Sequence, residues 1–306
     1  MAEPSRDNVK RLIFGYPPGA LGSQLAQGAL RVLADTSDLQ YVLQNVDARN
    51  TRQALEDVKN SMPNGHTLLQ AHSTSMCLLP NVYKKLGYDP IQDFTSLGTV
   101  GEVALSLTVG PLVPPQVTNL EQFHTWLLKN ADLREIGFSI YGSEGHLATL
   151  MLGRSLGMST RPQPYKGSAA MLNDLASGAL LAGFTAAGNG KPEWWTSGKL
   201  RSLGVTSAKR LSYWPNIPSL QEQGVSDMDM APWYAWFAPS ATPLPILTNL
   251  REGVRRMQTA PAFSALQRDL LVMPLELTPE ALLERIRQQT ARYAALVKTY
   301  DIDRLD

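Results

Sequence analysis

Apolar positions along the chain switch repeatedly between a period of two and a period near 3.6, and their order predicts an α/β protein. Residues 9–14 carry Leu12, Ile13 and Phe14 in a run short enough for a buried strand. A turn-rich segment follows, and then Leu21, Leu25, Ala29, Val32 and Leu33 recur at helical spacing. Leu39, Tyr41 and Leu43 alternate as a second strand, and Asn50 with Gln53 has capping-box spacing ahead of Ala54, Leu55 and Val58. The turn Pro63-Asn64-Gly65 leads into a third strand at 66–71 and the polar cluster His72-Ser73-Thr74-Ser75. Residues 101–109 read as one β-favouring run. A capping box at Thr118 and Glu121 then opens a helix buried through Phe123, Leu127 and Leu128.

From there the pattern restarts. A strand at 136–140, a glycine-bearing loop and an apolar helix at 147–156 repeat the strand, loop and helix of the opening stretch. A helix with Met171, Leu172 and Leu175 stops at Gly178, strands follow at 180–184, 200–206 and 232–239, and two amphipathic helices finish the chain. The last of them is capped by Thr278 with Pro279 at its first position. Only two crossings join the units, near 101–110 and 228–236, which predicts one lobe from residues 1–103 with 233–306 and another from 104–232. Two lobes joined by two strands can close around a ligand by hinge motion.

The totals narrow the choice of partner. At 306 residues the length suggests about two domains. Lys+Arg 28 against Asp+Glu 27 gives a net charge of +1, which removes the global field that nucleic-acid binding uses, so a charged partner must be recognised locally. A single cysteine, Cys77, excludes an intrachain disulfide and thiolate metal clusters and reads as packing. No stretch approaches the length of a membrane span, and residues 1–7 contain no apolar leader. An exported chain whose signal has been removed and a cytoplasmic chain are both compatible with that.

The candidate chemistry lies in the loops that leave the strands. In Gly15-Tyr16-Pro17-Pro18-Gly19-Ala20-Leu21-Gly22-Ser23 a strand ends and a helix starts, where unmatched N–H groups and the peptide dipoles favour an anion. An ordinary strand-to-helix connection fits the same pattern. Ser73 and Thr74 read as a second ligand edge or as a helix cap. Tyr141-Gly142-Ser143-Glu144-Gly145-His146 is the corresponding loop of the second unit. Against an enzyme, the four histidines show no familiar metal-ligand spacing, and there is no nucleophile elbow, dinucleotide fingerprint or Walker A loop. No metal and no cofactor is expected.

The order of the segments resembles the substrate-binding proteins of tripartite tricarboxylate transporters, the Bug family, along almost the whole chain. The resemblance is carried by Tyr16-Pro17-Pro18-Gly19, Pro63-Asn64-Gly65-His66-Thr67-Leu68-Leu69, Tyr83-Lys84-Lys85-Leu86-Gly87-Tyr88-Asp89-Pro90, Pro164-Tyr165-Lys166-Gly167-Ser168, Gly198-Lys199-Leu200-Arg201 and Val205-Thr206-Ser207-Ala208-Lys209-Arg210. It implies a class II periplasmic-binding-protein fold with two lobes and a ligand cleft between them, no catalysis, and a ligand carboxylate held by backbone N–H groups and waters at residues 16–23 and 141–146. It further implies membrane transporter subunits as partners, a monomer, and a periplasmic location.

Four departures from that pattern bear on the site. Gly19-Ala20 stands where two glycines are usual, which an anion-facing backbone tolerates provided Ala20 keeps a negative φ. Residues 45–50 replace the usual glycine-rich segment after the second strand, and Thr185 stands where the family often has an aspartate. Glu144 is unusual in the second loop and reads either as a solvated helix-start residue or as an acceptor for a ligand hydroxyl or ammonium. Tyr16 and Tyr141 read as cleft walls or as packing, and Lys166 as a rim cation or a surface residue. Arg49 reads as a partner for a distal carboxylate or a solvated cation, and Trp233, Tyr234 and Trp236 as packing of the crossing strand. The reading is an extracytoplasmic receptor for a small carboxylate, aliphatic or aromatic, mono- or dicarboxylic. A ligand sensor on the same scaffold and a cytoplasmic enzyme are the alternatives.

Overall fold

The structure, a computed structural model, describes residues 9–306, so the opening residues that were read for a leader lie outside the described residues. The chain divides into two units by internal contacts. The first holds residues up to Glu102, Trp233–Ala295 and Asp303–Asp306, and the second holds Val103–Pro232 with Leu296–Ile302.

The first unit is built on a five-stranded sheet of β1 (Arg11–Phe14), β2 (Val42–Asn45), β3 (Thr67–His72), β4 (Phe94–Glu102) and β10 (Trp233–Pro239), in the order β2-β1-β3-β10-β4. β1 pairs in parallel with β2 and β3, whereas β10 runs antiparallel to both its neighbours. Helix α1 (Leu21–Thr36) lays its apolar stripe, Leu25, Ala29, Val32 and Leu33, into the core. The second unit repeats the arrangement position for position. Its sheet has the order β7-β6-β8-β5-β9, from β5 (Leu105–Val109), β6 (Glu135–Ser139), β7 (Arg161–Tyr165), β8 (Ala182–Ala186) and β9 (Arg201–Val205). Here β6 pairs in parallel with β7 and β8, and β5 is antiparallel to β8 and β9. In each sheet the antiparallel strand comes from beyond the local βαβ run, as expected for a chain that crosses twice.

Several elements depart from the sequence reading. The run 101–109 is two strands: at Glu102 the backbone turns to pair with Met273, and Val103 donates to Pro232 O, which ends one sheet and starts the other. The second strand begins at Val42 because Leu39 and Tyr41 are used as core contacts before it. β7 is an additional strand: Pro162 and Pro164 are poor strand residues, but β7 lies at the sheet edge, where prolines need no partner for the missing N–H. Asn50 and Gln53 form no capping box. Arg49, Asn50 and Thr51 all take positive φ, and Asn50 Nδ2 donates to the Tyr83 hydroxyl instead. The last part of the chain holds three helices, α8 (Leu244–Thr259), α9 (Pro261–Asp269) and α10 (Pro279–Thr299), where two were expected. The cap on α10 is as read, with Ala281 N–H bonded to Thr278 Oγ1.

Candidate functional site

In the first unit β1 ends at Phe14 and the loop turns through Gly19, whose φ of 82° is a left-handed conformation that valine or any branched residue resists. Ala20 is extended, with φ −60°, so the condition placed on it is met. Ser23 and Gln24 N–H both turn back on Ala20 O, which leaves the Leu21 and Gly22 N–H groups at the start of α1 without an intrahelical acceptor. No acidic side chain occupies that first turn.

Neutral side chains hold the loop in shape. Ser23 Oγ donates to Pro17 O at 3.0 Å, and Asn45 Nδ2 on β2 reaches both Tyr16 O and Ser23 Oγ at 2.7 Å. Gln24 Nε2 closes the turn on Gly19 O at 2.9 Å. From β3 the buried Gln70 donates to Gly22 O at 2.7 Å and accepts from Trp236 Nε1 at 3.0 Å. Gly22 has no room for a side chain: a Cβ there would lie 2.4 Å from Phe14 and 2.7 Å from Tyr234. Tyr16 stacks on Phe14 with centroids 4.9 Å apart and tilts against His72, which also meets Tyr234 edge-on at 4.9 Å. Gln70 and Asn45 were missed in the sequence, although a glutamine inside the apolar run Leu68-Leu69-Gln70-Ala71 is a signal, because a buried amide requires partners.

The second unit carries the equivalent junction after β6. Ile140 and Gly142 both take positive φ, 72° and 71°, and helix α5 (Glu144–Ser155) starts three residues before the expected position, because Ser143 caps it. Ser143 Oγ accepts from His146 N–H at 3.3 Å, and His146 Nδ1 accepts from Gly142 N–H at 3.3 Å. With that nitrogen used as an acceptor and the ring stacked 4.4 Å from Phe138, burial lowers the His146 pKa to about 4 and keeps the imidazole neutral. Tyr141 leans on the same ring at 4.7 Å. Glu144 is 1% exposed, which overturns its reading as a solvated residue. Gly145 follows it on α5, with the Phe138 and Phe184 Cβ atoms below. The first junction therefore offers N–H groups without a charged side chain, and the second combines a neutral histidine with a buried carboxylate.

The other candidates fall into separate places. Ser73 and Thr74 are wholly buried: Ser73 Oγ accepts from Trp233 N–H, and Thr74 N–H donates to His72 Nδ1 at 3.1 Å. Thr185 lies inside β8, its hydroxyl 3.1 Å from that of Thr108. Lys166 is exposed beyond the edge strand β7. Arg49 is exposed and paired with Glu56. Trp233 and Trp236 are core residues, and their indole N–H groups are bonded to Gln289 and Gln70. Among the described residues no cluster of histidine, cysteine or carboxylate side chains is arranged to hold a metal ion.

Known proteins are similar to this chain along most of its length. The family model described as the tripartite tricarboxylate transporter family receptor matches residues 23–302. The chain belongs to this receptor family. The Bordetella pertussis protein BugT is 26% identical to this receptor over 304 residues, covering 94% of this chain and 88% of BugT. Among solved structures the periplasmic binding protein BugD superposes with a TM-score of 0.88 at 26% identity, covering 97% of this chain and 98% of BugD. An R. palustris protein solved with adipate superposes at 0.89, with 26% identity and 97% and 99% coverage. The receptor therefore has the two-lobed periplasmic-binding-protein fold expected from the resemblance. Its family is one of solute-binding receptors, and no helix among the described residues is long and apolar enough to cross a membrane.

Proposed function

We propose that this receptor captures a small organic carboxylate in the periplasm and hands it to the membrane subunits of a tripartite transporter, without catalysing a reaction. The single observation that carries the reading is the start of α1, where Leu21 and Gly22 N–H have no intrahelical acceptor and the surrounding side chains are neutral. A carboxylate there accepts charge-assisted hydrogen bonds from the backbone, which needs no titrating group. The adipate in the R. palustris relative supports a carboxylate as the ligand class. The start of α5 is the second contact in this reading. There Glu144 favours a ligand whose other end offers a hydroxyl, an ammonium or a protonated acid rather than a second bare carboxylate.

A thermal-shift screen of mono-, di-, hydroxy- and amino-carboxylates tests the proposal. A ligand that binds only the native state adds about 2.7 kcal/mol at a hundredfold excess over Kd. For a chain of 306 residues, at about 2.1 cal/mol/K of unfolding entropy per residue, that raises Tm by roughly 4 °C. A screen in which phosphate esters or cations shift the transition and no carboxylate does would overturn the reading.

A further inference from the structure

We propose that a partly open cavity inside the second unit is an additional site, separate from the two strand-to-helix junctions, that takes a small aromatic carboxylate. The cavity has a volume of about 570 Å³, within the ordinary range for small-ligand sites, and every residue lining it belongs to the second unit. β9 supplies Arg201 and Ser202, the short helix α7 (Pro192–Thr196) supplies Trp195, and residues 213–217 supply Tyr213, Trp214 and Ile217. None of these residues lies in the loops at 16–23 or 141–146.

The walls fit a flat ring. Trp195 and Trp214 lie 5.2 Å apart at 50°, and Tyr213 meets Trp214 edge-on at 6.2 Å. Trp195 is held in its plane by an Nε1–H bond to Asn189 O at 2.9 Å. Aromatic walls set at such angles accept a further ring in edge or offset contact.

The polar end fits an anion. Arg201 is the single charged residue lining the cavity, and it has no salt bridge to any described carboxylate. Its two terminal nitrogens are committed to the carbonyl oxygens of Val113, Pro114, Pro115 and Val117, at 2.6, 3.2, 3.4 and 2.7 Å. Those dipoles orient the guanidinium and leave its net charge unneutralised, while Nε–H, the fifth donor, is not used by them. Partial burial acts against the cation, and an anion beside Nε–H would act in its favour. Ser202 does not compete for the ligand, because its hydroxyl is engaged with Ser106 and Gly204 O.

The test is calorimetric titration of the full chain with benzoate, using cyclohexylammonium as the cationic probe. Gly19→Val is the background that weakens the first junction while leaving this cavity intact. Benzoate is expected to bind in that background, and Trp214→Ala and the cavity-filling Ile217→Trp are each expected to weaken it at least tenfold. Cyclohexylammonium should not bind. Should Trp214→Ala lose its folded circular-dichroism spectrum, Ile217→Trp decides the matter alone. Benzoate affinity unaltered by Ile217→Trp, absence of benzoate binding at millimolar concentration, or equal binding of the cation overturns the proposal.

Discussion

Replacing Gln70 with leucine removes a side chain that ties the crossing strand to the first turn of α1. Gln70 is 1% exposed; its carbonyl accepts from Trp236 Nε1–H at 3.0 Å, and its amide donates to Gly22 O at 2.7 Å. Leucine fills a similar volume, so the loss is mainly polar. The buried Trp236 N–H left without an acceptor costs about 1–3 kcal/mol, and the lost bond to Gly22 O about 0.5–1.5 kcal/mol. The sum, roughly 1.5–4.5 kcal/mol, corresponds for a 306-residue chain to a fall in Tm of about 2–7 °C. Adding Trp236→Phe removes the orphaned donor, so the double variant should be more stable than the sum of the single losses implies, by about 1–2 kcal/mol. Thermal and urea unfolding of the four proteins measure this directly. A Gln70→Leu variant within 0.5 kcal/mol of the parent, or strictly additive losses, would refute the idea that Gln70 holds the cradle in place.

The site itself supports three further expectations. Gly19→Val forces a branched residue to φ 82°, so ligand affinity should drop by more than about tenfold, whereas Ser23→Ala, with Asn45 still bonded to Tyr16 O, should lose roughly two- to fivefold; calorimetry that reverses this order would contradict a backbone cradle. His146 titrates near pH 4 in the folded protein and near 6.5 when unfolded, so between those values the unfolded chain binds the extra proton. Stability should therefore be full above pH 6.5 and decline toward pH 4, by at most about 3 kcal/mol, and His146→Asn should flatten that part of the stability profile. Glu144→Gln replaces a buried carboxyl group at the second junction with an amide, so preference for hydroxy- or amino-carboxylates over plain dicarboxylates should fall by about tenfold or more; unchanged preference across the panel would remove Glu144 from recognition.

Much of this molecule is legible in its sequence. The strand, loop and helix order around Phe14 and Ile136 marks both junctions, because each combines an apolar run with a glycine-bearing turn and a helical pattern after it. What escaped notice depended on tertiary context. Leu39 and Tyr41 have the alternation of a strand, yet they fill the core ahead of one, and periodicity does not distinguish the two uses. Pro162 and Pro164 speak against a strand until the edge position of β7 is known. Glu144 reads as a loop residue but is the first residue of α5, and its burial goes with Ser143 starting that helix early, a choice made by one hydroxyl and one N–H. Asn45 and Gln70 position the first cradle from strands 22 and 48 residues away from the atoms they hold, so no local pattern marks them apart from their polarity in buried surroundings.

The central claim is that a carboxylate is held by backbone N–H groups at the start of α1. Amide proton and nitrogen shifts of the labelled protein, followed during titration with the best carboxylate from the screen, test it most directly. Hydrogen bonding to a carboxylate should move the Leu21 and Gly22 amide protons downfield in saturable fashion, with Gly145 responding at the second junction. Saturable binding that leaves Leu21 and Gly22 unmoved would contradict the account.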